Sequence, residues 1–430
     1  MDIDNDETAS SARAISVGGG LVIGVAMVIA NAANYGFQIV AGRFLSVEEY
    51  GLLAGFMAVV TVVTVATSAL QTTAARAIAA DEYHRDGHFI DGLTKSSMLI
   101  GAVVALVTVP LSPIASRFFN IGWLPLILLG VYVVPSALDS IAAGRLQGLH
   151  RFTGMAVYSC SQAIAKLGTA TIILAVGFRV TGLIAGLVLS SGVIAAGGVI
   201  ASRRAGSIDV HAFDPDVRRA FAAFTIFWFM LGADVLFARA FFEENEAGLY
   251  AAASVLGKAV LWIPAVVAQF LFPRLAKQSK LGESVVAVAV RAATVVIAVV
   301  VVSVSGLYLA GEQVFRILYG ERYVEAADIA WKVGLAVAPL ALVNLLIQHF
   351  LARRQGTFLR IMVVVVIVEV LALYLGPKTY EFYALMLALA GSALLVGMIP
   401  LHVWSRHLPS YLCIQRRADS GERTPPDGLP

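Results

Sequence analysis

The sequence predicts an all-α polytopic membrane protein, with about 12 transmembrane helices arranged as two parallel six-helix repeats around a central cavity. Three observations predict it: extreme apolarity, twelve long apolar runs, and self-similarity between the halves. Hydrophobic residues make up 59% of the 430 residues and charged residues 14%, where soluble proteins average about 45–50% and about 25%. A net charge of +3 gives no support to a nucleic-acid partner. Two cysteines, Cys160 and Cys413, exclude a disulfide framework and a cysteine-based zinc site.

A hydrocarbon core about 30 Å thick needs about 20 apolar residues per helix. Residues 1–14 are polar and acidic. Lacking a basic leader, they are expected to form a cytoplasmic tail rather than a removed signal peptide. The runs that follow lie at 15–41, 51–73, 96–116, 122–143, 153–177 and 181–202, then at 220–241, 248–272, 283–309, 327–351, 357–376 and 383–405. They divide into an N-terminal lobe, 15–211, and a C-terminal lobe, 212–408, followed by a polar tail, 409–430, expected to be disordered. Most of the 31 Lys and Arg fall in segments on the side of the N-terminus. Arg43, Arg117, Arg179, Arg316, Arg322 and Lys378 fall opposite. By the positive-inside rule both termini are cytoplasmic. The longest outer connection is expected at 310–326, too short for a catalytic domain.

The repeat is read from paired positions. AGRFLSVEEYGL, from Ala41, matches ARAFFEENEAGL, from Ala238, so that Gly51–Leu52 corresponds to Gly248–Leu249. Gly130, Pro135, Ala137 and Leu138 likewise match Gly334, Pro339, Ala341 and Leu342. Six spans is an even number, so the halves enter the membrane the same way round. Such parallel repeats are typical of transporters with a site between them.

Charges inside the spans are the candidate site, because each costs at least about 2.5–3.5 kcal/mol at bilayer depth. In the first span Asn31, Asn34 and Gln38 form one stripe leading to Arg43, either as contacts between helices or as a cavity wall. Lys166, in CSQAIAKLGTA, is too central to snorkel and is the strongest candidate for a cationic site. Asp234 and Lys258 lie at similar depth in the seventh and eighth spans and can pair, for structure or for ion coupling. Arg239 sits at the edge of its span. Glu369 is a second deep carboxylate, in a helix contact or in function. Asp139 is expected near the interface. Pro135, Pro264 and Pro339 lie inside spans, where each removes a backbone hydrogen bond and permits a bend.

Chemistry is also excluded. No GxxxxGK[ST] and no HExxH motif occurs. His84 and His88, four apart among acidic residues, read as a solvated loop rather than a metal site. No cofactor and no metal is expected, and the chain is not expected to be an enzyme.

Several stretches resemble one family. They are GRFLSVEEYGLLAGFMAV from Gly42, GRLQGLHRF from Gly144, ADVLFARAFFEENEAGLYAAASVLGKAVLWIPAVVAQFLFPRLAK from Ala233, and FRILYGERYVEAA from Phe315. They are similar to the polysaccharide-exporting flippases of the multidrug/oligosaccharidyl-lipid/polysaccharide superfamily. The resemblance implies a prokaryotic plasma-membrane protein that flips polyprenyl-linked oligosaccharide from the inner to the outer leaflet by alternating access. Glycosyltransferases or a glycan polymerase of the same pathway are the implied partners. In that setting Lys166, Arg43, Arg239 and Lys258 neutralise the lipid diphosphate, with Asn31 and Gln38 on the cavity wall. Asp234 and Glu369 take up H⁺ or Na⁺. The alternatives are a drug or cation antiporter of the same superfamily, a major-facilitator transporter, which the missing GxxxDRxGRR-like loop disfavours, and a membrane glycan polymerase or ligase.

Overall fold

A backbone in hydrocarbon must satisfy its own hydrogen bonds, which leaves helices as the solution for these apolar runs. The computed structural model describes residues 24–26, 28–79, 106, 110, 112–114, 116–149, 151–202, 215–279, 285–352 and 355–407. Regular structure among the described residues is entirely helical. The expected tails, the His84/His88 loop and Cys413 lie outside them.

The first hairpin is α1 (Gly24–Phe44) and α2 (Val47–Ala79). Ser46 and Glu49 form a reciprocal capping box between them: Glu49 N donates to Ser46 Oγ at 3.3 Å, and Ser46 N donates to Glu49 Oε2 at 3.2 Å, satisfying two donors that a helix start leaves open. Next come α3, described only in part between 106 and 119, α4 (Trp123–Gly148), α5 (Phe152–Ala175) and α6 (Val180–Ser202). The second half begins with α7 (Pro215–Phe241) and α8 (Glu244–Ser279). It continues through α9 (Val285–Leu318), a 3-10 turn (Glu321–Tyr323), α10 (Ala326–Ala336), α11 (Ala338–Ala352), α12 (Phe358–Leu375) and α13 (Tyr380–His407).

Two expectations are corrected. The outer connection placed at 310–326 is mostly helix, because α9 runs on to Leu318 through Gly306 and Gly311. What stops it is Gly320, at φ +104°, a conformation only glycine adopts cheaply. Gly320 N donates back to Phe315 O at 3.0 Å. Arg316 therefore sits in a helix turn, 2.8 Å from Glu321. The tenth span breaks into α10 and α11 at Val337, two residues before Pro339. Pro339 has no N–H to continue the ladder. Helices α4 and α8, by contrast, pass through Pro135 and Pro264 unbroken.

Nine helices among the described residues are long and apolar enough to cross a membrane. Helix α5 falls short because Ser159, Ser161, Gln162 and Lys166 interrupt its apolar run. Packing repeats between halves: α2 lies on α4 and α4 on α6, as α8 lies on α10 and α10 on α13. Helix α2 also packs on α7 and α8, joining the halves. The repeat partners Gly51 and Gly248 meet there. A Cβ on Gly51 would stand 2.9 Å from Gly248 N, and one on Gly248 only 2.0 Å from Val47 O. No side chain fits between these backbones.

Candidate functional site

The two hairpins, α1–α2 and α7–α8, seal one end of the molecule. Beside the glycine contact, Tyr50, Tyr319 and Tyr323 are buried and meet with ring centroids 5.5–5.7 Å apart. Such edge-on and tilted pairs each contribute about 0.5–1.5 kcal/mol beyond area burial. Glu49 pairs with Arg179 at 2.5 Å, tying α2 to the turn between α5 and α6.

Beneath this seal lies a cavity of about 360 Å³ between α1, α2, α5, α7 and α8. Asn31, Asn34 and Gln38 present their stripe to it, and Lys166 and Lys258 reach it from opposite halves. Gln38 Oε1 also accepts the Tyr50 hydroxyl at 3.2 Å, so one side chain links cavity and seal. The Lys166 ammonium lies 3.5 Å from Asn34 Oδ1 and 4.3 Å from the centre of the Phe37 ring. No carboxylate pairs with it among the described residues.

Lys258 is anchored differently. Its Nζ lies 2.6 and 2.8 Å from the two oxygens of Asp234, and it donates to Leu231 O at 2.6 Å. Asp234 is fully buried and also accepts the Tyr250 hydroxyl at 2.9 Å. Ser254 Oγ stands 3.5 Å away. Behind this pair, on α12, Glu369 is buried with no hydrogen-bond partner on either oxygen. Asp234 and Lys258 are the charges acting on it. An isolated carboxylate is costly in such a place unless a proton or cation neutralises it.

Arg43 and Arg239 lie elsewhere. Arg43 donates to the carbonyls of Leu318 (2.9 Å) and Ile317, capping the end of α9. Arg239, buried, donates to Asn120 O at 2.9 and 3.2 Å and pairs with Glu244 at 3.2 Å, pinning the turn before α4. Neither lines the cavity.

Three features escaped sequence reading. Tyr250 and Ser254 hold Asp234, and their spacing of eight and four residues before Lys258 puts all three on one face of α8, a legible signal. Asp139 accepts the Tyr158 hydroxyl and lines a second cavity of about 370 Å³ inside the N-terminal half. Among the described residues no group of three or more His, Cys, Asp or Glu is placed to hold a metal ion.

A family model described as "Polysaccharide biosynthesis protein" matches residues 39–328, most of the chain and the turns of both hairpins of the seal. The chain belongs to that family. Among curated proteins none matches it by sequence. Solved structures show the fold. The lipid II flippase MurJ in an inward closed conformation superposes with a TM-score of 0.70 at 12% identity, covering 89% of this chain and 87% of that one. A multidrug resistance MATE family transporter of the MOP superfamily in its inward-facing conformation gives 0.68 at 13% identity, over 88% and 96%. An outward-facing conformation of a MATE family transporter gives only 0.58 at 15% identity, over 90% and 93%. The protein is a multi-pass membrane protein of this fold.

Proposed function

We propose that the chain flips a polyprenyl-linked oligosaccharide from the inner to the outer leaflet of a prokaryotic plasma membrane, by ion-coupled alternating access. Both termini are cytoplasmic and the seal faces outward. The observation that carries this reading is the pair of lysines, Lys166 and Lys258, converging on one cavity from opposite halves. A lipid diphosphate brings two anionic groups, and a cavity of low dielectric strengthens their attraction to ammonium groups.

Lys258 supplies the coupling. It faces the cavity yet is held by Asp234, so an incoming diphosphate competes with Asp234 for the same ammonium. Once released, Asp234 shares its buried site with Glu369 and Tyr250, and a proton or Na⁺ enters to neutralise the two carboxylates. Discharge of that ion returns Lys258 to Asp234 and expels the lipid. Asn31, Asn34 and Gln38 line the path, and Arg43 and Arg239 hold the helix ends that open and close.

The polarity of the cavity weighs against an antiporter of organic cations, because the Lys166 ammonium, with no carboxylate paired to it among the described residues, repels such cargo. A polymerase or ligase needs an external domain, and the connection after α9 is shorter than the sequence implied. The test is flipping in proteoliposomes of a fluorescent polyprenyl-diphosphate oligosaccharide under imposed H⁺ or Na⁺ gradients. Wild type should accelerate flipping in one gradient, with Lys166→Ala and Asp234→Asn each at least tenfold slower. Full rates in both variants would overturn the site.

A further inference from the structure

The second cavity has no part in the account above. It is enclosed by α1, α2, α4, α5 and α6, and it joins the central cavity at Asn34, Met57 and Lys166, which line both. The chemistry changes across that junction. The central side holds both ammonium groups, beside the amides of Asn31, Asn34 and Gln38. Beyond Lys166 a carboxylate joins hydroxyl and amide groups, from Thr64, Tyr132, Asp139, Gln162, Ser190 and Ser191, set among apolar side chains such as Phe56 and Leu187.

We propose that this side chamber is the saccharide-binding site, taking the sugar units next to the diphosphate while Lys166, at its mouth, holds the phosphate. The proposal rests on the flippase reading and specifies where that substrate's glycan goes. Sugars present dense donor and acceptor hydroxyls, and this lining can meet both. Thr64 and Ser190 give their hydroxyl protons to backbone carbonyls, at 2.9 and 3.1 Å, which leaves their oxygen lone pairs as acceptors. Asp139 accepts one bond from Tyr158, and an ionised carboxylate has about four acceptor positions, so it can also take paired sugar hydroxyls. The Tyr132 hydroxyl lies 3.4 Å from Thr64 Oγ1, and either oxygen can turn to a ligand.

Other occupants fit worse. A lipid tail would bury these polar groups without partners, and a free cation entering from the central cavity must pass Lys166. A volume of about 370 Å³ is near the lower end of the roughly 300–1,000 Å³ of small-ligand pockets. That suits the proximal sugar units and leaves a longer glycan in the central cavity. Asp139 also sets a charge preference: a neutral sugar is accepted at this position and a uronic acid is repelled.

The experiment measures binding to the full-length protein in lipid nanodiscs of three short-chain probes: polyprenyl diphosphate, the same lipid bearing N-acetylglucosamine, and the same lipid bearing glucuronic acid. The expected result is that N-acetylglucosamine tightens binding about tenfold over the bare lipid, in line with one added hydrogen bond to a charged group, and that glucuronic acid does not. Ser191→Phe, which fills the chamber, should erase the gain. Asp139→Asn, which keeps the shape, should narrow the gap between the two sugars, with thermal stability followed alongside. Equal affinity for the bare and N-acetylglucosamine lipids in wild type overturns the chamber alone. A gain that survives Ser191→Phe, in a variant as stable as wild type, also overturns it. Failure of all three probes to bind overturns the flippase reading and the chamber together.

Discussion

Substituting Gly248 by alanine attacks the seal at its tightest point. The new Cβ would lie 2.0 Å from Val47 O and 2.6 Å from Val47 C, short of an ordinary contact of 3.4 Å by about 1.4 Å. Both neighbours are backbone atoms, so no rotamer change relieves the overlap and the hairpins must part. Overpacking of this kind costs about 1–3 kcal/mol, which lowers the sealed population roughly 5- to 150-fold while leaving the separated state untouched. The assay is pulsed electron spin resonance between labels on cysteines replacing Phe44 and Asn245, in a background lacking Cys160 and Cys413. Gly248→Ala should add a longer-distance population and slow flipping. Gly306→Ala, where a Cβ meets nothing within 4 Å, should change neither. An unchanged distance distribution with full transport in Gly248→Ala would refute the reasoning.

Three further outcomes follow from buried charge and helix ends. Lys258→Met leaves Asp234 buried without its cation and should cost about 3–5 kcal/mol, seen as a lower thermal midpoint; adding Asp234→Leu should restore most of it, and equal losses in single and double variants would contradict the pairing. Glu369→Gln removes a carboxylate that lacks hydrogen-bond partners, so the thermal midpoint should hold or rise while flipping loses its dependence on the ion gradient. Arg43→Ala frees the carbonyls of Ile317 and Leu318 at about 1.5–3 kcal/mol per charged hydrogen bond, which should speed amide exchange over residues 315–325 and leave the affinity for polyprenyl diphosphate unchanged; weakened affinity would place Arg43 in the site instead.

Much of the fold was legible because the bilayer makes the rules severe. Long apolar runs had one solution, and the Gly-Leu pairs at 51 and 248 marked the repeat because they mark where its two copies touch. The cost of buried charge likewise pointed to Lys166, Asp234, Lys258 and Glu369. What the sequence lacked was direction around a helix. Arg43 and Arg239 sit at plausible depths for a mouth of the cavity, yet each turns to a helix end, where free carbonyls or a nearby carboxylate hold it. For Asp139 the sequence lacked helix length. With its span ending at 143 it counts as shallow, but α4 continues to Gly148, which sets it more than two turns inside the helix, where Tyr158 can reach it. The span ended at 309 runs on through Gly311 to Leu318, since a glycine of ordinary φ costs a helix only about 1 kcal/mol. Gly320, with its positive φ, ends the helix instead.

The most direct test of the central claim is the leaflet distribution of lipid-linked saccharides in a deletion strain, followed by mass spectrometry with and without a membrane-impermeant glycan-modifying reagent. The account predicts that a complete polyprenyl-linked oligosaccharide accumulates on the cytoplasmic side, protected from the reagent, and that wild type reverses this where Lys166→Ala does not. An unchanged pool, equally exposed in the deletion strain and in wild type, would contradict it.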